Sequence, residues 1–578
     1  MNRAGFIFWL PALAFTLPCQ AFVLKSSESG NPTLWQSSRL PDGIPYYIQD
    51  SAYSESNREA ELEAVRACFD QWQSVPGSDL KFKFKGLVTS GFDIDLTDGT
   101  NGVFWAKTST LVHGGLTDIR NALGIAPTLE EEDHIIAGDI ALNGVDFEWF
   151  TDFENPVLDA RFIEGTLLHE IGHFIGLSHS PAGGATMLYV SDTGIPVAAG
   201  LSMDDQRGML ELYPDNIENS AKGSLTGVVT TQSGIAVFGA VVSIESQQGS
   251  LISSLMTSED GRFNLTGLSP GNYQIWVAPL GPSNLRISLL VPSQINSSFR
   301  TANTSFLPIE KQNLEVLPNQ ITQVNLIVKE GSPVFRINRI QENNQLLNTA
   351  AVLKRDQSEM TLGVASKDLD ASTEMLLEVS GSDLQILNMR QSKIQSSGVD
   401  LLLITADLKR ISDQTAPGLR SITLRNGNQL AHAPGYLEIE RSAPDYNFDG
   451  LDDRFQRRHF ERFTSAEAGP TSDPDVDGLP NTDEFTAGTL PTDPDSVLEI
   501  IETIYTLDET TIRWIGQPER TYQVFSKNQA TGTSWIRIGP KQESTGDEPT
   551  LMEFTDSENP PESRFYRVKV SLQSTLPE

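Results

Sequence analysis

The sequence predicts a multidomain protein. An α+β domain at the front is followed by β-sandwich domains and a short Asp-rich segment. Three observations carry this reading. The chain has 578 residues, which at ~150 residues per domain is room for about four hydrophobic cores. Helical and strand periodicities mix up to about residue 215, whereas beyond Asn216 short alternating strands with Gly and Pro turns run to about residue 441. Aspartates then crowd residues 444–496, after which alternation returns, as in Thr521-Tyr522-Gln523-Val524-Phe525. The segments that follow are 1–21, 22–215, 222–330, 331–443, 444–497 and 498–578.

Within the front domain, residues 54–74 read as an amphipathic helix with Leu62, Val65, Phe69 and Trp72 on one face. Residues 158–177 form a second, with Phe162, Ile163, Leu167, Ile171, Phe174 and Ile175 at helical spacing. A third starts at Ser202, where Asp205 completes a capping box and Leu201 is placed for a staple, and it ends before Pro214.

Composition narrows the function. Basic residues number 42 against 76 acidic, a net charge of −34, and this excludes non-specific nucleic-acid binding, which needs a basic face. With 38% apolar residues the chain is not a multi-span membrane protein, and with 20% charged residues it is not a disordered polyelectrolyte. Arg3, the apolar run from Phe6 to Leu17 and the sequence Pro18-Cys19-Gln20-Ala21 have the order of a secretory signal peptide cut after Ala21. Acylation of Cys19 is the weaker reading, because Pro18 precedes it. The run falls short of the ~20 residues that span a bilayer and no second one follows, so a released, secreted protein without a transmembrane anchor is expected. Cleavage leaves Cys68 alone, without an internal disulfide, and its helical setting marks it as a small buried hydrophobe.

The run His169-Glu170-Ile171-Gly172-His173-Phe174-Ile175-Gly176-Leu177-Ser178-His179 holds three of the seven histidines. His169 and His173, four apart on a helix, share one face and reach a single ion, while Glu170 projects beside them. Gly176 can take φ > 0, end the helix and let the chain return His179 as third ligand. Three imidazoles leave a fourth zinc position open, as a catalytic zinc requires. A water activated there would give up its proton to Glu170, acting as general base and then as general acid toward the leaving amine.

This segment resembles the zinc signature of metzincin peptidases, and its surroundings are similar to the matrixin branch. Met187 matches the family's Met-turn, a hydrophobic floor under the metal. The stretch Leu201-Ser202-Met203-Asp204-Asp205-Gln206-Arg207-Gly208 resembles the closing matrixin helix. Leu40-Pro41-Asp42-Gly43-Ile44-Pro45-Tyr46-Tyr47 resembles the opening strand, and Ala137-Gly138-Asp139-Ile140-Ala141-Leu142-Asn143 a sheet strand. The likeness spans about residues 35–215 and implies an α+β fold with a twisted five-stranded sheet plus helices, and a zinc-dependent peptidase acting on protein or peptide substrates. Three departures stand out. An inhibitory cysteine peptide is not evident before the domain. Ala141 stands where a histidine for a second, structural zinc is expected, and His113 and His134 read as ordinary histidines. Tyr189 lies two residues after Met187, as in the astacin and serralysin branches; it is either a transition-state donor or a residue packing the turn. Residues 122–126 are assigned as the sheet edge to which substrate adds as a strand.

A second metal signal is Asp473-Pro474-Asp475-Val476-Asp477-Gly478-Leu479-Pro480-Asn481-Thr482-Asp483-Glu484. It matches an EF-hand-like calcium loop, with the Leu479 carbonyl and both Glu484 oxygens as ligands. A half-match from Asp445 has Gln456 where the bidentate acid belongs. The later Asp493-Pro494-Asp495 resembles thrombospondin type-3 calcium repeats. Calcium, structural rather than catalytic, would stiffen the connection between modules. Residues 223–277 resemble the carboxypeptidase regulatory-like sandwich, and residues 335–441 more loosely an immunoglobulin-type one. Two functions are weighed: a secreted zinc metalloendopeptidase of extracellular proteins, and a non-catalytic adhesin or binding protein on a metzincin scaffold. The intact Glu170 favours the first. A calcium-dependent carbohydrate binder ranks third, since no aromatic platform is readable.

Overall fold

The computed structural model describes residues 23–27, 31–36, 41–89, 92–191, 199–215, 221–285, 287–370, 372, 374–412, 415–441, 443–528, 534–557 and 564–573. The expected signal segment, with Cys19, lies outside them. The chain divides into two compact units. One comprises Met1–Arg58, Val75–Ile411 and Thr415–Glu440; the other comprises Glu59–Ser74, Ser412–Gln414 and Arg441–Glu578.

In the first unit, strands Phe82–Val88, Ile44–Gln49, Gly102–Ala106 and Ile140–Asn143 lie side by side in parallel, and Gly124–Ile125 closes the five-stranded sheet antiparallel at one edge. The segment 137–143, expected as one strand, is two. His134–Gly138 pairs with Leu34–Trp35 and Thr128–Glu131 in a separate sheet, and only Ile140–Asn143 joins the five. The break is at Asp139, whose buried carboxylate accepts from Gly102 N at 2.8 Å and Asp95 N at 2.9 Å.

Helix α2 spans Ile163–Phe174, shorter at both ends than its apolar pattern. At its front, Arg161–Phe162 pairs in parallel with Trp149–Phe150, so those backbone groups are committed to a ladder. At its back, the Trp35 indole donates to Phe174 O at 2.8 Å and the Tyr213 hydroxyl to Ile175 O at 2.7 Å, which satisfies carbonyls that a helix end leaves open. Gly176 then turns with φ +106, and a Cβ there would lie 2.3 Å from Thr33 O. Helix α3, Met203–Leu212, starts at Ser202 with the expected Ser202–Asp205 capping box.

Two β-sandwiches complete the first unit. One packs the sheet of Arg262–Leu268, Gly223–Thr231 and Ile321–Val328 on that of Leu251–Met256, Val241–Ser246, Gly271–Ala278 and Ile309–Val316, around Leu225, Val242, Phe263 and Ile275. The other packs a five-stranded on a four-stranded sheet around Ile340, Leu362, Ile404, Ile422 and Leu437.

The second unit contains α1 (Arg58–Gln73) from Glu59 onward, in which Trp72, Phe69 and Cys68 are fully buried. It begins at Arg58 rather than residue 54 because Asn57 N bonds Ser54 Oγ at 3.2 Å in a preceding turn. Asp70 accepts from Thr464 Oγ1 at 2.7 Å, and the Arg462 guanidinium lies 3.5 Å from Glu63. The short helices α5 (Asp453–His459) and α6 (Asn481–Ala487) and two C-terminal sheets make up the rest.

Candidate metal centre

The amphipathic pattern of α2 buries its apolar stripe and leaves His169 and His173 one turn apart on the same side. The turn at Gly176 brings His179 to them. The three rings face one another at centroid separations of 4.7–5.1 Å, and one nitrogen from each falls in a group no wider than 4.8 Å. His169 Nδ1 meets Thr186 O and His173 Nδ1 meets Leu177 O, both at 2.8 Å. A carbonyl only accepts, so each Nδ1 carries the proton and each Nε2 a lone pair. The main chain of Gln294 and Ile295 faces the His179 ring, and His179 N donates to Ile295 O at 3.4 Å.

Burial, reinforced by the neighbouring imidazoles, holds His173 well below the usual histidine range and His179 down at about 3. Burial also lowers His169. The trio is therefore neutral near pH 7. The Nε2 atoms of His173 and His179 stand 3.2 Å apart. Two lone pairs at that distance repel unless a cation lies between them. A tetrahedral zinc with Zn–N of ~2.0–2.1 Å sets its nitrogens ~3.3 Å apart. The donor set thus fits zinc in chemistry and in spacing.

Glu170 is 5% exposed, and its Oε2 is buried without a hydrogen-bond partner. Burial raises its carboxyl to about 8, against which the Lys25 ammonium works downward. A divalent cation among the imidazoles would lower it further. Met187 is fully buried, as a floor residue should be. Tyr189 is 49% exposed with its ring 5.1 Å from that of His179 and perpendicular to it. The edge strand Gly124–Ile125 lies over Glu170: a Cβ on Gly124 would be 3.0 Å from Glu170 Oε1.

Sequence reasoning missed the carboxylates that hold this arrangement. Asp205, legible only as a helix cap, also accepts from Thr186 N and Met187 N, each at 2.9 Å, and so fixes the turn whose carbonyl orients His169. Asp204 accepts from Ser180 Oγ at 2.5 Å and Ser254 N at 2.6 Å. Both bonds cross long stretches of sequence and leave no local signature.

In the second unit, carboxylate oxygens of Asp473, Asp475 and Asp477 also gather within 4.8 Å. Asp473 Oδ1, Asp475 Oδ2, Asp477 Oδ2, Asn481 Oδ1 and both Glu484 oxygens are buried without hydrogen-bond partners. Asn481 spends its amide hydrogens on Glu467 O and Gly469 O at 2.8 Å, which leaves Oδ1 available. Burial and the three aspartates raise Glu484 to about 7. Such a donor set suits a hard cation with oxygen ligands, which is what calcium is. Leu479, between Asp477 and Asn481, sits in the same loop, its amide on Asp477 Oδ1 at 2.7 Å. The loop from Asp445 differs. Gln456 Nε2 donates to Asp449 Oδ2 at 2.7 Å and Asn447 Nδ2 to the same oxygen at 3.0 Å, so amide hydrogens occupy the carboxylate.

Among solved structures, the chain is similar to BcpA, the major pilin subunit of Bacillus cereus, at 14% identity and TM-score 0.15, covering 38% of this chain and 69% of that one. It is also similar to the Bacillus anthracis TIE protein, at 10% identity and TM-score 0.14, covering 61% and 46%. Fervidolysin from Fervidobacterium pennivorans, a keratinolytic enzyme related to subtilisin, matches at 14% identity and TM-score 0.15, covering 40% and 33%. No curated protein matches the chain significantly. Among the described residues no helix is long and apolar enough to cross a membrane. At the level of families, residues 35–214 match the matrixin family, and residues 224–328 the carboxypeptidase regulatory-like domain.

Proposed function

We propose that this protein is a secreted zinc metalloendopeptidase. The observation that carries the reading is the pairing of three neutral imidazoles with the unpartnered buried oxygen of Glu170. His169, His173 and His179 would hold the ion. When bound, zinc supplies Lewis acidity toward a water and the scissile carbonyl. Glu170, next to that position and shielded from bulk water, takes the proton of the attacking water and delivers it to the leaving amine. The Tyr189 hydroxyl, on an exposed ring beside His179, donates to the carbonyl oxygen as negative charge develops there. The substrate main chain adds to the edge strand Gly124–Ile125, whose neighbour on the inner side is Ile140–Asn143. Calcium held by Asp473, Asp475, Asp477, Leu479, Asn481 and Glu484 stiffens the Asp-rich segment without taking part in the chemistry.

The test is clearing of casein or gelatin with and without a chelator, beside Glu170→Ala. The variant should keep one zinc per chain and lose cleavage. Cleavage that persists in chelator would sink the assignment, and a zinc-loaded parent that cleaves nothing would leave the adhesin reading.

A further inference from the structure

We propose that the two sandwiches complete the metal centre, with Gln294, Ile295 and Asn296 as positioning residues for His179, so that metal affinity and sandwich docking are coupled. The inference rests on the zinc reading above and goes beyond it.

The orienting partners of the histidines have different origins. His169 and His173 are tied to carbonyls of Thr186 and Leu177, within the matrixin segment. His179 instead has the main chain of Gln294 and Ile295 beside it, in the connection between strands Gly271–Ala278 and Ile309–Val316 of the first sandwich. Its main-chain N also points to Ile295 O at 3.4 Å, and Asn296 Nδ2 donates to Ser178 Oγ at 2.9 Å. This connection is itself fixed. Helix α4, Pro292–Ile295, starts with proline, and the Gln294 side chain accepts from Val291 N at 2.9 Å. Ile295 shares one apolar cluster with Leu280, Leu290 and Met256 of the sandwich and with Leu188 of the Met-turn.

The second sandwich grips the same stretch from its middle. Gly183 N donates to Pro434 O at 2.9 Å, and Ala350 N donates to Gly183 O at 3.0 Å. Gly183 is pressed against the Tyr436 ring so closely that a Cβ would come within 2.3 Å of it. Asp204 links Ser180 to Ser254 on the first sandwich. The segment between His179 and Met187 therefore takes its shape from three sources, two of them outside the matrixin domain.

Coupling of this kind is reciprocal: whatever docking gives to the histidines, a bound ion gives back to docking. Losing an outer partner of a metal ligand typically lowers affinity ~10–100-fold.

The test uses the full chain and its zinc affinity, read by competition with a chromophoric chelator, together with the cobalt(II) absorption spectrum. Asn296→Ala loses the bond to Ser178 and should weaken zinc ~10-fold or more with an altered cobalt spectrum. Asn296→Asp should restore affinity, because the Ser178 hydroxyl can turn and donate. Gly183→Val, at the Tyr436 contact, should weaken zinc while circular dichroism stays as in the parent. Parent-like affinity and cobalt spectra in both Asn296→Ala and Gly183→Val would overturn the coupling. A parent that binds no zinc at all would instead overturn the metal reading, and the coupling with it.

Discussion

Asp205→Asn exchanges a single oxygen for an amide, yet the structure makes it a severe change. Oδ2 accepts from Thr186 N and Ser202 N, each at 2.9 Å, and from Ser202 Oγ at 2.6 Å, while Oδ1 accepts from Met187 N at 2.9 Å. Four donors on one fully buried group leave no place for a donor of its own. Asparagine keeps its oxygen at the crowded position and turns its NH2 toward the Met187 amide. A buried donor without an acceptor costs about 1–3 kcal/mol, and that is the expected loss of stability. Asp205→Ala keeps the Ser202 cap but removes the reciprocal capping-box bond to Ser202 N and orphans Thr186 N and Met187 N, so its loss should be at least twice as large. Because Thr186 O orients His169, both variants should bind zinc more weakly. The assay is thermal melting in chelator and in excess zinc. In chelator the Asn variant should melt roughly 3–9 °C lower, at ~3 °C per kcal/mol. In zinc the gap should widen, since each tenfold loss of affinity removes ~1.4 kcal/mol of ligand stabilisation. Melting within about 1 °C of the parent under both conditions would refute the reasoning.

Three further outcomes follow from single groups. Gly124→Ala puts a methyl 3.0 Å from Glu170 Oε1 and forces the carboxylate off its rotamer, at about 0.5–1.5 kcal/mol; kcat should fall ~2–10-fold with zinc content unchanged, and a parent-like kcat would count against Glu170 as the base. Glu245, buried in the first sandwich against the Trp276 indole, is raised by burial to about 7; its contribution is favourable below its unfolded value and lost as pH climbs toward about 7, so Glu245→Gln should flatten melting temperature across that window. Glu484→Gln replaces an oxygen pair in the calcium loop; calorimetry should show the parent's calcium-dependent upward shift disappear, and an undiminished shift would place the ion elsewhere.

What the sequence reveals and what it hides divide along a physical line. The three histidines, Glu170 and Gly176 lie within one short stretch, so their spacing on a helix and turn is readable directly, and the Ser202–Asp205 cap is equally local. The clustering of Asp473, Asp475 and Asp477 is legible for the same reason. The double use of Asp205, the Ser180–Asp204–Ser254 link and the approach of Gln294 to His179 are contacts between distant segments, and no periodicity encodes them. Propensity also misplaces ends. Residues 158–162 fit the helical pattern, but Arg161–Phe162 earns a strand pairing instead, and a run of apolar residues from Ala137 is interrupted by an Asp139 whose carboxylate serves two amides of another loop.

The order of the chain gives the composite site a consequence in time. Domains form largely as they emerge, N-terminal first. His169, His173 and His179 are made early, whereas Gln294–Asn296 follow more than a hundred residues later and Pro434–Tyr436 more than two hundred. Until both sandwiches have formed and docked, Gly183 has no Pro434 carbonyl to bind and His179 lacks the Ile295 main chain beside it. An imidazole free to rotate is a poorer third ligand, because the orientation that a neighbouring domain supplies has to be found at an entropic cost. The fully assembled first unit, rather than the matrixin segment alone, would then be the form in which the histidine trio holds zinc tightly. In this protein latency would be a property of folding order, and its hallmark would be tight zinc uptake that appears only as the sandwiches gain protection from exchange.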